Sequence, residues 1–256
     1  MPATDLELLE AAAREAGEIA LKYWRDDPQV WDKGGDDPVS EADFAVDKHL
    51  HERLLAERPD YGWVSEETED NTERLSAERV FIVDPIDGTR SFVAGQQTWA
   101  HSLAVAVNGT IVAGCVYLPA RDKMYLAASG YGAHLNGKPL QVSERSSVDG
   151  ASVLSPKVSF KSEFWKDEAP NVERHFRPSL AYRMALVGEG RFDAMLTLRP
   201  AWEWDIAAGA LIAEEAGASV TDRHGAPLSF NSPARQTAGV VAGAVGLHAE
   251  LLDRLA

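Results

Sequence analysis

Cysteine is nearly absent: Cys115 stands alone among 256 residues. An intrachain disulfide is therefore excluded, which suits a reducing cytoplasm, the expected compartment. Basic residues are also scarce, 25 Lys and Arg against 40 Asp and Glu, and the formal net charge is −15. Such a balance opposes binding to a nucleic-acid polymer or an anionic membrane. No apolar run is long enough to span a bilayer, and the N-terminus lacks the basic, apolar, small-residue succession of a secretory signal. Internal repeats and low-complexity segments are missing too. What remains is 45% hydrophobic residues, enough for a substantial core in one large domain or two apposed halves. Cys115, inside the apolar run from Thr110 to Leu118, reads as core rather than nucleophile.

Leu6, Leu9, Ala13, Ala16, Ala20 and Tyr23 recur at helical spacing and predict an amphipathic helix over Asp5–Trp24. Lys33-Gly34-Gly35-Asp36-Asp37-Pro38 reads as a polar loop, and a second helix runs from Ser40 to about Arg58. Short apolar runs separated by turns from Val80 to Val142 predict an antiparallel meander, with Asn108-Gly109 as its clearest hairpin. After Ser143 the pattern becomes mixed α/β. Helices are expected near Ser179–Glu189 and Asp205–Ala216, followed by a return strand over Gly217–Asp222. Pattern alone therefore indicates α+β followed by α/β. The expected organisation is a half spanning 1–145 that carries most acidic site residues and a half spanning 146–256, packed as one unit.

Chemistry concentrates in Asp84-Pro85-Ile86-Asp87-Gly88-Thr89, which follows the buried strand-like run Arg79–Val83. Pro85 is expected to stop the strand ladder and Thr89 to cap a following helix. Two carboxylates and a set of backbone amides then share one tight turn. Divalent-metal phosphate chemistry needs hard oxygen ligands beside such amides. Turn formation alone offers another account of both aspartates, since Asp87 favours an Asx turn and Asp84 can cap a loop. Glu66-Glu67, at the end of the run Tyr61–Ser65, shifts the balance towards a site. Asp43 stands three residues after Ser40, where a capping box and a place in the site are both open. Asp205 precedes the slim stretch Ala207-Ala208-Gly209-Ala210, whose small side chains permit close approach of another backbone; a ligand is the better reading than a helix cap.

Asp43, Glu66-Glu67, the Asp84–Thr89 run and Trp204-Asp205-Ile206-Ala207-Ala208-Gly209 together resemble the inositol monophosphatase superfamily, in order and over nearly the whole chain. That group includes inositol phosphatases, 3′(2′),5′-bisphosphate nucleotidases and some fructose-1,6-bisphosphatases. The resemblance implies a layered α/β sandwich of the sugar-phosphatase type, antiparallel in the first half and mixed in the second. It also implies that Glu66, Asp84 and the Ile86 carbonyl hold one metal, and that Asp84, Asp87 and Asp205 hold another. Glu67 is expected to support that set rather than join it. The implied cofactor is Mg²⁺, two or three ions, with Mn²⁺ a substitute; all-oxygen ligation argues against zinc. The seven histidines are scattered, and His49 and His51 read as surface residues. In-line displacement at phosphorus would use a water oriented by Glu66 and Thr89, with Asp43 near the nucleophile and Gly88 and Thr89 amides on the phosphate.

The partner is expected to be a small phosphate ester, with no nucleic-acid polymer and no membrane; a homodimer is left open. Inositol phosphatases of this superfamily usually place a glutamate a few residues before the Trp-Asp pair. Here Thr197 or Leu198 stands in that place, Arg199 follows, and Glu203 comes within reach only through a shifted loop. Substrate contacts are expected from Asp87, Gly88, Thr89, Arg183, Arg199 and Asp205, with Arg90 a further candidate. Arginine's planar fork suits a second phosphate, although ion pairs with surface acids offer an alternative use. The substrate expectation is therefore a 3′(2′),5′-bisphosphate nucleotide. Inositol 1-phosphate is the alternative, ahead of fructose 1,6-bisphosphate, histidinol phosphate or a noncatalytic regulatory role. Trp99 and Trp202 read as core residues rather than base-stacking platforms.

Overall fold

The computed structural model describes residues 2–35 and 38–256; Asp36 and Asp37 of the polar loop lie outside them. Helix α1 (Pro2–Tyr23) buries Leu9, Ala13, Ala16 and Ala20 completely. Beyond it a short antiparallel pair, β1 (Val30–Asp32) and β2 (Pro38–Ser40), leads into α2 (Glu41–Glu57), which packs on α1.

Seven strands follow in one sheet: β3 (Gly62–Ser65), β4 (Arg79–Asp87), β5 (Ala100–Val107), β6 (Thr110–Leu118), β7 (Lys123–Ala128), β8 (Ala133–Leu135) and β9 (Lys138–Pro139). They lie side by side in chain order. From β4 onward all pairings are antiparallel, as the alternating runs and turns predict, and Asn108-Gly109 joins β5 to β6. β3 alone pairs parallel, along β4. A short helix α3 (Thr89–Val93) links β4 to β5.

The second half contributes β10 (Ser152–Leu154), β11 (Glu173–His175), α4 (Leu180–Gly188), β12 (Ala194–Thr197), β13 (Ala201–Trp202), α5 (Glu203–Glu215), β14 (Ala218–Thr221), β15 (Gln236–Thr237), β16 (Val240–Ala244) and α6 (Val245–Arg254). Five of these strands form a mixed sheet in the order β11-β10-β12-β16-β14. Helices α1 and α2 cover the outer face of the large sheet, α4 and α5 lie between the two sheets, and α6 covers the small sheet. The result is the layered α/β sandwich. Helix α5 is apolar on nearly every side because a sheet, a helix and a second sheet surround it. Among the described residues no helix is long and apolar enough to cross a membrane.

Three local expectations are corrected. Pro85 does not end β4; the ladder to β5 breaks between Asp84 and Asp87 and resumes at Asp87 opposite Ala100. A bulge is one of the few strand positions that tolerate a missing N–H donor. Thr89 is not the cap of α3, because Gly88 takes that position with φ of +96°. Helix α5 opens at Glu203 after Trp202, so Asp205 lies within its first turn rather than capping it.

Candidate active site

The bulge in β4 turns Asp84 and Asp87 towards the start of α5. One carboxylate oxygen from each of Asp84, Asp87 and Asp205 lies within 4.8 Å of the other two. Asp84 is 1% exposed, and its Oδ1 has no hydrogen-bond partner. Burial and the charges of Glu66, Asp87 and Asp205 push its carboxyl well above the usual range. Burial and the charges of Asp87 and Glu66 do the same to Asp205. Asp87 is raised by burial to about 6, although Ser179 Oγ and the Ala181 N–H each donate to its Oδ2 at 2.6 Å. Three acids forced together with an orphaned oxygen are the state that a hard cation relieves. This donor set fits a divalent metal ion.

Glu66 lines the same cavity but is not part of that triplet; Lys33 Nζ donates to its Oε1 at 2.9 Å and to Glu67 Oε1 at 2.5 Å. Burial opposes the Lys33 charge, yet the two glutamates hold its ammonium above its ordinary range. Burial lifts Glu67 to about 7 against the pull of Lys33. Glu67 is absent from the cavity lining.

Asp43 unites both of its readings. Its Oδ2 accepts from the Ser40 N–H at 2.8 Å, as in the capping box these two residues form, and also from Ser40 Oγ, while its Oδ1 accepts from Thr89 Oγ1 at 3.0 Å. Thr89 Oγ1 also lies 3.1 Å from the Ile86 carbonyl. Burial raises Asp43 to about 6, against these hydrogen bonds. At Gly88 a Cβ would sit 3.3 Å from the Thr98 carbonyl, so the turn closes only around glycine.

Glu66, Asp84, Ile86, Asp87, Gly88, Thr89 and Asp205 line a cavity of about 500 Å³. Arg183 lines it from α4, with Nε and Nη2 donating to the Arg177 and Pro178 carbonyls. Burial lowers Arg183 to about 10, against the charges of Asp87 and Asp205. Arg90 stands exposed on the same lining. Arg199 is exposed and is not brought to the cavity. Glu203 is fully buried and turned away, accepting from the Asn231 and Ser232 N–H groups at 2.6 and 2.9 Å. Trp99 is core, 0% exposed, whereas Trp202 corrects its core expectation: it is 39% exposed on the cavity. His49 and His51 lie elsewhere, His49 on Glu15 and His51 against Trp63.

Sequence reasoning missed several supports. His101 is completely buried against Trp99 and Tyr117, and one ring nitrogen meets the Pro85 carbonyl inside the bulge. Burial lowers it to about 4, so it is neutral near pH 7 and holds that carbonyl as a donor. Ser102, opposite Asp84 in the ladder, donates to the Trp204 carbonyl at 2.8 Å and ties α5 to β5. Ser179 caps α4 while also holding Asp87. Single polar residues inside apolar strands give no local signal of such partners.

The raised carboxyls make a pH prediction. The folded, metal-free protein holds protons on Asp43, Glu67, Asp84, Asp87 and Asp205 that the unfolded chain releases near pH 4. Their contribution to stability is present below that pH and is lost as pH rises through about 6 to 7. His101 and His248, both lowered by burial, act oppositely, the His101 contribution present above pH 6.5 and lost towards about 4. Glu214, raised by burial to about 7, adds to the acids. In chelator the melting temperature is expected to fall from pH 5 to pH 8, and excess Mg²⁺ to remove most of that slope. A chelated protein that becomes more stable over the same interval would contradict this charge cluster.

Hard oxygen donors gathered at a strand bulge, beside a hydroxyl–carboxylate pair, are what phosphate-ester hydrolysis asks of a protein. The fold and the site define a phosphatase. Residues 2–256 match the inositol monophosphatase family. The chain is 34% identical over 240 residues to an inositol-1-monophosphatase of Rhizobium meliloti, covering 87% of this chain and 85% of that one. It is 33% identical over 233 residues to a histidinol-phosphatase of Chlorobaculum parvum, covering 86% of each. The extragenic suppressor protein suhB of Bartonella henselae superposes with a TM-score of 0.83 at 28% identity, over 98% of this chain and 97% of that one. The chain belongs to the inositol monophosphatase family.

Proposed function

We propose that this phosphatase hydrolyses a small phosphate monoester with Mg²⁺, and that its substrate is a 3′(2′),5′-bisphosphate nucleotide. The observation that carries the metal chemistry is the Asp84–Asp87–Asp205 triplet with its orphaned buried oxygen. When bound there, divalent ions supply Lewis acidity to the phosphoryl and leaving oxygens. The chain's own part is positioning and proton handling. Thr89 Oγ1 accepts a hydrogen bond from the attacking water while donating to Asp43, whose carboxyl near pH 6 is a base suited to neutral solution. Glu66 orients the same water, and the Gly88 and Thr89 amides hold phosphate oxygens at the turn.

The second phosphate is the reading that Arg183 and Arg90 support, both on the cavity beside the acid cluster. Glu203, the acid directly before the Trp-Asp pair, is committed to the 231–232 turn and gives a polyol no partner. Inositol 1-phosphate remains the second reading because the Rhizobium relative carries that activity in its name. The test compares kcat/KM for adenosine 3′,5′-bisphosphate, adenosine 5′-monophosphate and inositol 1-phosphate, with and without chelator. The bisphosphate is expected to lead by at least about tenfold, consistent with a charge-assisted contact, and Arg183→Ala to remove that lead. A preference for inositol phosphate that survives Arg183→Ala overturns the substrate assignment. Absence of phosphate release from every ester overturns catalysis itself and favours a regulatory role.

A further inference from the structure

Beyond phosphate recognition, the cavity that holds the acid cluster is also lined by two aromatic rings. Trp202 is 39% exposed and Phe176 is 46% exposed, and both line the cavity that holds Asp84, Asp87 and Asp205. Neither ring is a loose surface side chain. Trp202 stacks on the buried Trp204, centroids 4.7 Å apart and planes 8° apart, and Trp204 directly precedes Asp205 in α5. Phe176 lies under the Arg183 guanidinium, 4.3 Å from its centroid, and that guanidinium is pinned by two loop carbonyls. Pro178 also lines the cavity. The polar side chains of the lining, Thr89, Ser91 and Gln96, belong to the phosphate-holding turn and the loop after it.

A polyol leaving group would carry several hydroxyls against those rings, and Glu203, the acid directly before Trp204, is turned away from them. Unpaired hydroxyls against an apolar surface are unfavourable. A planar ring meets the opposite situation, because rigid aromatic faces and an arginine plane stack on it without demanding hydrogen-bond partners. We infer that Phe176 and Trp202 form a ring-binding subsite, so that the preferred phosphate ester carries an aromatic or heteroaromatic ring on its alcohol. This rests on the phosphatase reading but not on a second phosphate.

Adenosine 5′-monophosphate and ribose 5-phosphate isolate the ring, because they share the phosphate and the sugar. Their kcat/KM ratio should be about ten or more, the size expected of base stacking on a side chain. Trp202→Ala should bring the ratio to near one, Trp202→Phe should retain part of it, and Phe176→Leu, at an exposed position, should lower it without disturbing the fold. Circular dichroism and melting temperature check each variant. A native ratio near one, or a ratio unchanged in Trp202→Ala and Phe176→Leu, overturns the subsite. No phosphate release from either ester is the separate failure of the phosphatase reading. A large ring ratio without any gain from a 3′-phosphate keeps the subsite and removes only the bisphosphate.

Discussion

Asp84→Asn is expected to abolish turnover while raising the melting temperature of the metal-free protein. Asp84 is 1% exposed, its Oδ1 has no partner, and the carboxylates of Asp87 and Asp205 press on it. Asparagine keeps the shape and removes a buried carboxyl that in the metal-free protein can ionise only against Asp87 and Asp205. Phosphate release should fall by a factor on the order of a thousand or more, as when a preorganised electrostatic contact to a reacting phosphoryl group is lost. Relief of charge repulsion worth about 1 kcal/mol would raise Tm by roughly 2–4 °C in a chain of this size. The two readouts move in opposite directions because the site is built for a ligand at the expense of stability. Melting and phosphate release measured in parallel decide it. Near-normal turnover at moderate Mg²⁺ would remove Asp84 from the site.

Gly114→Val should have the largest structural effect. A Cβ at Gly114 on β6 would stand 3.0 Å from the Ala208 carbonyl oxygen and 3.1 Å from its Cα. Both are backbone atoms of α5 and cannot swing aside. On the other flank, a Cβ at Gly209 would lie 2.6 Å from Met184 Cβ on α4. The helix is thus held on two sides and cannot retreat from a larger residue. Overpacking of this kind costs about 3 kcal/mol or more, a Tm loss on the order of 10 °C. Any retreat that does occur moves Asp205, so Mg²⁺ should protect this variant less than the parent. Gly114→Ala should show a smaller loss of the same kind. Native Tm and native Mg²⁺ protection in Gly114→Val would show that the sheet–helix contact is looser than its geometry.

The acid-bearing turn was legible because its chemistry is local. Asp84, Asp87, Gly88 and Thr89 stand within six residues, after a short apolar, β-rich run that reads as a buried strand. The same locality misled in detail: proline after a strand and threonine before a helix have ordinary roles, and here a bulge and a left-handed glycine replaced both. Arginine shows the limit of pattern most clearly. Arg183 and Arg199 looked equivalent in the sequence, yet α4 carries one to the cavity while the other is exposed away from it. Trp202 departs from its core expectation for a similar reason. One turn of α5 sends the acid into the 231–232 turn and leaves the indole on the cavity.

By itself the sequence determined that this chain is an acidic protein without an intrachain disulfide, rich enough in apolar residues for a substantial core of helices and strands, and carrying acidic motifs in family order. Those properties depend on composition and on neighbours within a few residues, where sterics and hydrophobic periodicity act directly. The resemblance implied that Asp205 joins Asp84, but only the tertiary structure decided that Asp43 both caps α2 and meets Thr89, that His101 braces the bulge, and that Trp202 and Phe176 share one cavity. These pairings are long-range. They follow from α5 being packed between two sheets, a placement set by close-packed volume and burial over the whole core rather than by any local signal.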